Sequence, residues 1–403
     1  MKKTISIICT IIAIILIATA FAGCDKGNQP QPQQTNKPSS DSDILKGLNT
    51  YASYDVSYID KLADYNNVTV TKNLTVTDED VAQMYLDAIT VIAQRNDFTA
   101  DPPVIDGIYD ELVKLVPAGI ECKEGDIICF DYSGRTEEGP LTGGIAYYNY
   151  TMLGSGHFIP GFEESIVGHK AGTPFDITVT FPSSYPQNRD LENKDVTFEI
   201  LIHHILPGLS DESAKLLSDA EKRNFDETKT DDSEEFTPSY TTAAEYRQYI
   251  TGELTRDREQ SFEDNLESTI MYKLYTESTF KELPQIEIDS FKRSVEDAAR
   301  TYGVTTEVYL YYAYGGLSSE EDFNELARYQ VATKGIMSAI CQNEKFTLSQ
   351  AEFDEKAALI AENYNYESPK QLVEEVGIEN VCNSIIIEFV LDYLKEHVSV
   401  VTE

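Results

Sequence analysis

Ten glycines fall between residues 125 and 172, at 125, 134, 139, 143, 144, 154, 156, 161, 168 and 172. Glycine at that density breaks helices, so this stretch must form short extended runs joined by turns. The runs stand between the breaks, at 126–132, 175–181 and 196–205. They are rich in β-branched and aromatic residues, which suit a pleated, half-buried surface. Ile128, Phe130 and Tyr132 alternate along the first run and share one strand face. The spacing predicts a mostly antiparallel sheet with one short helix near 161–168. By the same alternation His203 and His204 point to opposite strand faces, with structural roles rather than ligand roles.

On both sides the period changes to that of a helix. Thr77 and Asp80 make a capping-box pattern with Asp in place of Glu, opening a helix through Met84, Leu86, Ile89 and Ile92. Residues 210–236 carry 10 acids and 4 bases and few apolar residues, and read as an exposed linker or a frayed helix. Helical spacing then dominates to the end. Phe262, Leu266, Ile270 and Leu274 are four apart, as are Val381, Ile385, Phe389 and Tyr393. Ile288, Phe291, Val295 and Ala298 share a face, and Gly303 stands where a C-terminal cap belongs. Pro284 and Pro369 mark breaks. Tyr309, Tyr311, Tyr312 and Tyr314 precede Gly315-Gly316; both helix packing and a binding surface are open to them.

The start of the chain carries an address. Lys2 and Lys3 precede an apolar run over 5–22, which closes in Phe21-Ala22-Gly23-Cys24. A positive start, an apolar stretch and small residues before a cut read as an export signal. Cys24 directly after Ala-Gly resembles a bacterial lipobox, which implies cleavage before Cys24 and lipid on that Cys. The alternative is an uncleaved membrane helix. The polar, Gln- and Pro-rich stretch that follows reads as a tether. The expected location is the cell membrane, lipid-anchored and facing the extracytoplasmic side.

Charge narrows the partners. With 32 basic against 69 acidic residues the chain carries -37. It has no basic face for phosphate, so no nucleic acid is expected as a partner. The acid is densest after residue 208, where the net charge is -23. Of six cysteines, Cys9 falls in the signal and Cys24 carries the lipid. Cys122, Cys129, Cys341 and Cys382 form no CxxC pair and have no His at zinc spacing, so no metal site is expected. Cys341 and Cys382 can form a disulfide or remain buried thiols. No Gly-rich Lys phosphate loop is present, and no cofactor is expected.

Several spaced motifs give segment 119–207 a family likeness: Asp131-Tyr132-Ser133-Gly134, Gly143-Gly144, Leu153-Gly154-Ser155-Gly156-His157-Phe158-Ile159-Pro160-Gly161-Phe162-Glu163, Val167-Gly168-His169-Lys170-Ala171-Gly172, Phe181-Pro182-Ser183-Ser184-Tyr185 and Lys194-Asp195-Val196-Thr197-Phe198. In this order they resemble an FKBP-type peptidyl-prolyl isomerase domain. The wider layout resembles trigger factor, a chaperone that flanks such a domain with helical arms. The resemblance implies an α+β fold: an FKBP-like antiparallel sheet wrapped on a short helix, flanked by an all-α trigger-factor-type chaperone domain. The expected domains are a signal over 1–23, a tether over 24–44, a strand-and-helix segment over 45–118, the isomerase domain over 119–207, an acidic linker over 208–236 and a helical chaperone domain over 237–403. The family's ribosome-docking module, with its Gly-Phe-Arg-x-Gly-Lys loop, finds no match, so the expected partners are unfolded or proline-containing exported polypeptides and not the ribosome.

Such chemistry needs few polar groups. A peptide bond before proline turns slowly because amide resonance opposes rotation, with a barrier of roughly 18–20 kcal/mol. Charge separation falls at the twisted geometry, so a dry apolar pocket favours that state over the planar one. By matching positions, the resemblance implies that Tyr132 borders the pocket and Leu141 stands in for a usual Phe wall. It makes Phe158 and Ile159 the pair whose second member offers a backbone N–H to substrate. Phe162 becomes the floor, Tyr185 supplies a flap hydroxyl and Phe198 another wall. Phe181 reads first as β-core. Thr142 departs from a usual acid and Asn149 from a usual aromatic, although a one-residue slip would exchange Asn149 with Tyr148 or Tyr150. Two functions follow: a membrane-tethered isomerase and chaperone for exported proteins, or a holdase whose FKBP-like domain is catalytically weak or inactive.

Overall fold

The computed structural model describes residues 49–100, 103–185, 188–228, 236–317 and 319–403. The signal over 1–23, Cys24 and the tether over 24–44 lie outside the described residues. No helix among the described residues is long and apolar enough to cross a membrane. The described residues divide into two compact units, those of 75–257 and those of 49–74 together with 258–403. With a sheet in the first and mainly helices in the second, the fold is α+β.

In residues 75–257, helix α1 (Asp78–Ala93) opens with the capping box that its sequence predicts. The Thr77 hydroxyl accepts the Asp80 N–H at 3.2 Å, and the Asp80 carboxylate accepts the Thr77 N–H at 2.7 Å. Helix α2 (Gly107–Lys114) is capped by Asp106, which accepts two N–H groups. Strands β1 (Ile127–Thr136) and β2 (Gly139–Met152), helix α3 (Phe162–Ile166), and strands β3 (Phe175–Thr180) and β4 (Asp195–Leu206) follow. The sheet order is β2-β1-β4-β3 and every pairing is antiparallel.

Both faces of this sheet are covered, which explains why the β1 start and the β4 end are apolar at consecutive positions. Ile128, Phe130, Val196, Phe198, Ile200 and Ile202 pack on Phe162 and Ile166 of α3. Ile127 and Leu206 face the other way, against α1, α2, α4 (Asp211–Thr228) and α5 (Ala243–Asp264). Each such side chain, fully buried, contributes about 1.5–3 kcal/mol. The division between the two units falls within α5.

Two features differ from the sequence reading. Of the two readings of 210–236, residues 211–228 form the helix and not the exposed linker, and that helix is packed: Ala214, Leu217 and Ala220 are buried. Three apolar residues at a spacing of three make a stripe narrow enough to be lost in an acidic composition. Nor do His203 and His204 face opposite ways. Cys129 pairs with His204 and Phe130 with Ile202, so His203 is the extra residue of a bulge. Both imidazoles reach one aromatic stack, in which Tyr148 lies 4.4 Å from both His203 and Phe98, and Phe98 lies 6.0 Å from His204. A bulge adds a residue to one strand and resets the alternation.

The other unit is built from α6 (Leu266–Glu277), α7 (Gln285–Thr301), α8 (Thr306–Ala313), α9 (Glu320–Glu344), α10 (Gln350–Asn363), α11 (Pro369–Val376) and α12 (Ile378–His397). Pro284 and Pro369 stand at helix starts, where a missing N–H costs nothing. The spacing of four from Phe262 to Leu274 is interrupted at Asn265, where α5 gives way to α6. Helix α9 is the central element, buried on most of its surface from Phe323 to Cys341. Gly335 admits Tyr58, whose hydroxyl donates to the Val331 carbonyl at 2.9 Å; a Cβ at 335 would lie 2.2 Å from that hydroxyl.

Residues 49–74 belong to this unit rather than to the segment that leads into the sheet. Strand Ile59–Lys61 pairs with Thr279–Phe280, and Thr69–Lys72 runs parallel to Ser399–Thr402. The Thr50 hydroxyl and N–H both donate to Asn383 Oδ1, at 3.0 and 3.1 Å. Pairing over more than three hundred residues leaves no local trace in composition. Cys122, Cys129, Cys341 and Cys382 are all buried free thiols. Burial pushes all four up, Cys129 and Cys382 to about 11, so they stay protonated and unreactive near neutral pH.

Candidate functional site

The inner face of the sheet and the α3 loop enclose a cavity of about 700 Å³. Tyr132, Leu141, Phe158, Ile159, Phe162, Tyr185 and Phe198, all seven residues singled out from the sequence, line it. They come from five places in the chain. β1 brings Tyr132, with Ile128 and Phe130 below it on the same face. The β2 strand adds Leu141 and Thr142, and the loop before α3 adds Phe158 and Ile159. β4 contributes Phe198 through its alternation with Val196 and Ile200. Tyr185 comes from the loop after Phe181, where its N–H donates to Glu192 Oε1 at 3.0 Å.

Aromatic rings form the base. Phe158 and Phe162 stack with centroids 4.4 Å apart and planes 10° from parallel. Tyr132 stands edge-on to Phe158 at 5.8 Å and to Phe162 at 6.0 Å, and Phe198 edge-on to Phe162 at 5.2 Å. Edge-to-face pairs of this kind each contribute about 0.5–1.5 kcal/mol beyond area burial. Phe162 is fully buried, whereas Phe158, Ile159, Tyr132 and Tyr185 are partly open to the cavity. Phe181 is both core and wall: it is 5 % exposed, lines the cavity and packs edge-on to Tyr185 at 4.9 Å. Gly134 makes room for the Phe198 ring, since a Cβ there would lie 2.7 Å from Phe198 Cε1.

The polar groups here are donors rather than nucleophiles. Burial, and then the neighbouring Tyr185, push the Tyr132 phenol up, so it remains an O–H donor at neutral pH. Exposed His157 at the rim is tied by Nδ1 to the Ser155 hydroxyl at 2.9 Å. Asn149, the departure in the aromatic set, does not line this cavity, and neither do Tyr148 and Tyr150. Asn149 pairs with Phe130 beside an irregularity in the β1–β2 ladder.

One residue of the site has no role in the sequence reading. Glu163 is 3 % exposed and turns its carboxylate back from α3 onto the loop before it. It accepts N–H groups from Gly154 and Gly156 at 2.9 and 3.0 Å, and from His157 and Phe158 at 3.0 and 3.2 Å. The Ser155 hydroxyl adds a contact at 3.2 Å. Glu163 therefore sets the backbone that presents Phe158 and Ile159. Gly161, at φ 89°, makes the sharp entry into α3 that aims it. The available signal was the Gly-Ser-Gly run, whose successive N–H groups need one acceptor, and a carboxylate in the next helix turn.

Sequence comparison agrees with this geometry. Residues 119–203 match the family described as FKBP-type peptidyl-prolyl cis-trans isomerase, and residues 242–396 match the bacterial trigger factor protein C-terminus. The trigger factor of Latilactobacillus sakei is 29 % identical over 389 residues, covering 91 % of this chain and 79 % of its own. The trigger factor of Caldicellulosiruptor bescii is 28 % identical over 311 residues, 74 % of this chain and 66 % of its own. That of Streptococcus mutans is 28 % identical over 346 residues, 81 % and 71 % respectively.

Proposed function

We propose that this trigger factor-like protein, with its FKBP-type domain, is a peptidyl-prolyl cis-trans isomerase and folding chaperone that works on exported polypeptides from a lipid anchor at Cys24. The observation that carries the catalytic part is the convergence of Tyr132, Leu141, Phe158, Ile159, Phe162, Tyr185 and Phe198 on one cavity. A prolyl ring fits an aromatic base without hydrogen-bond demands. The partly open rim leaves room for the chain on either side of it. Rotation about the X–Pro bond reduces amide charge separation, and an apolar wall disfavours the planar amide more than the twisted one. The Ile159 N–H and the Tyr185 hydroxyl are the donors for the substrate carbonyls.

The test is refolding of a protein limited by proline isomerisation, with the chain lacking residues 1–24 as catalyst. Acceleration above background is expected. Phe158→Ala should lower kcat/KM about tenfold, since it removes one face of the aromatic base and about 1–1.5 kcal/mol of contact in the twisted state. No acceleration by the parent chain would sink the catalytic claim. Leu141 and Thr142 in the wall favour a second reading, a holdase with a weak pocket. That reading expects suppression of aggregation without isomerisation, unchanged in Phe158→Ala.

The anchor rests on Lys2, Lys3, the apolar run and Cys24. Cys24→Ser should abolish incorporation of labelled fatty acid and leave a longer chain that keeps the apolar run over 5–22. Fatty acid incorporation unchanged in Cys24→Ser would refute lipidation at Cys24.

A further inference from the structure

A second cavity of about 610 Å³ lies between α1 and β2, lined among others by Gln83, Asp87, Asn96, Phe98 and Thr151. His157 and Phe158 line it too, and they also line the aromatic cavity. One ridge therefore separates two cavities that share its side chains.

Two residues that line the second cavity each carry a buried polar atom without a hydrogen-bond partner, Asn96 Nδ2 and Thr151 Oγ1. Thr151 is 1 % exposed. Groups of this kind are rare in folded proteins because burial removes their water. The Asn96 amide is not misoriented, since its Oδ1 accepts the Asp106 N–H at 2.6 Å. Its Nδ2 is thus a donor fixed in place. The wall beyond Thr151 is held in an unusual shape. Tyr148 sits at φ 50°, a left-handed conformation costly for a tyrosine, while its N–H donates to Asp131 Oδ1 at 2.8 Å.

We propose that this second cavity is a subsite for the polypeptide flanking the isomerised X–Pro bond. This rests on the isomerase reading of the first cavity. The substrate runs over the His157–Phe158 ridge, Asn96 Nδ2 donates to one of its main-chain carbonyls, and the Thr151 hydroxyl bonds a second main-chain group. Phe98 and Phe158 take an apolar side chain. The lining favours a peptide because its polar groups are mainly neutral amides and hydroxyls. Among the described residues Asp87 is its one carboxylate and no Lys or Arg lines it, so neutral or basic flanking residues are accepted over acidic ones.

The experiment compares an X–Pro tetrapeptide with the same core extended by six residues at either end, on the full chain. Binding is read by titration and turnover by exchange spectroscopy. Extension at one end should tighten binding about tenfold, a factor that one or two new hydrogen bonds supply. Thr151→Val and the cavity-filling Gln83→Trp should each remove most of that gain and leave tetrapeptide turnover unchanged. Thr151→Val should also keep or raise the melting temperature, because it removes a hydroxyl that has no partner. A gain absent from the parent, or surviving in both variants, overturns the subsite. If the tetrapeptide is not turned over but the extended peptide binds and loses affinity in the variants, the subsite stands and the isomerase reading falls.

Discussion

Replacing Glu163 by Ala is expected to destabilise the unit of residues 75–257 by about 3–5 kcal/mol. Four N–H groups and one hydroxyl converge on this buried carboxylate. Hydrogen bonds to a charged group contribute about 1.5–3 kcal/mol each. The sum is discounted because Gly154, Ser155, Gly156 and His157 are exposed and their amides can find water once the carboxylate is gone. Glu163→Gln should fall between the parent and Ala. Its amide oxygen can still accept, but its NH₂ would point at donors. Hydrogen exchange of the amides from Gly154 to Phe158 is the direct reading, since it reports this loop whatever the other unit does. Protection should collapse in Ala and weaken in Gln. Unchanged protection would mean that the loop holds itself, and that Glu163 does not position Phe158.

The prediction also shows why the site was only partly legible in the sequence. Pocket walls come from strand alternation, and Ile128, Phe130 and Tyr132 declare their face through period-two spacing alone. Phe158 and Phe162 flank a Pro-Gly turn that any reader of turns would find. Glu163 is different: a glutamate at a helix start reads as an exposed acid in a chain with 69 of them. Its burial follows from where the preceding turn brings its amides, which composition does not encode.

The same contrast holds for the fold. The Thr77–Asp80 capping box and the helix faces of Ile288 to Ala298 and Val381 to Tyr393 are local, and the structure forms helices there. What local pattern could not carry was pairing at long range and its irregularities. The bulge at His203 shifts every residue beyond it relative to a simple alternation. The strand Thr69–Lys72 has a partner at the far end of the chain. A one-residue insertion and a three-hundred-residue closure share a cause: both are decided by what lies opposite, not by what lies adjacent.

Substituting Tyr302, Tyr311 and Tyr312 together by Ser is expected to weaken suppression of aggregation about tenfold or more. These rings are 73, 54 and 82 % exposed, with Val304 and Val308 also exposed at 39 and 41 %. The tyrosine cluster divides in two. Tyr314 and, partly buried, Tyr309 turn inward with Leu310 onto Val295, Leu317, Phe323 and Leu326. Tyr311 and Tyr312 turn outward, edge-on to each other at 5.3 Å. Helix packing therefore accounts for half of the cluster and leaves the other half facing water, where an interaction surface is expected. Tyrosine suits nonspecific capture, offering wide apolar area and a polar tip with little rotamer entropy to lose. At roughly 25 cal/mol per Å² and 150–250 Å² a ring, three rings offer several kcal/mol, of which association consumes the larger part. A residue of about 1.4 kcal/mol is already tenfold. The inward residues keep the helices folded, so the variant should melt with the parent and act on a short X–Pro peptide, in the isomerisation assay, as the parent does. Light scattering of an aggregating client at increasing chaperone ratios reads the effect. Full suppression at the parent's ratio would place client binding elsewhere on the chain, whereas a parallel loss of short-peptide isomerisation would mean that the three rings serve the pocket's function as well as capture.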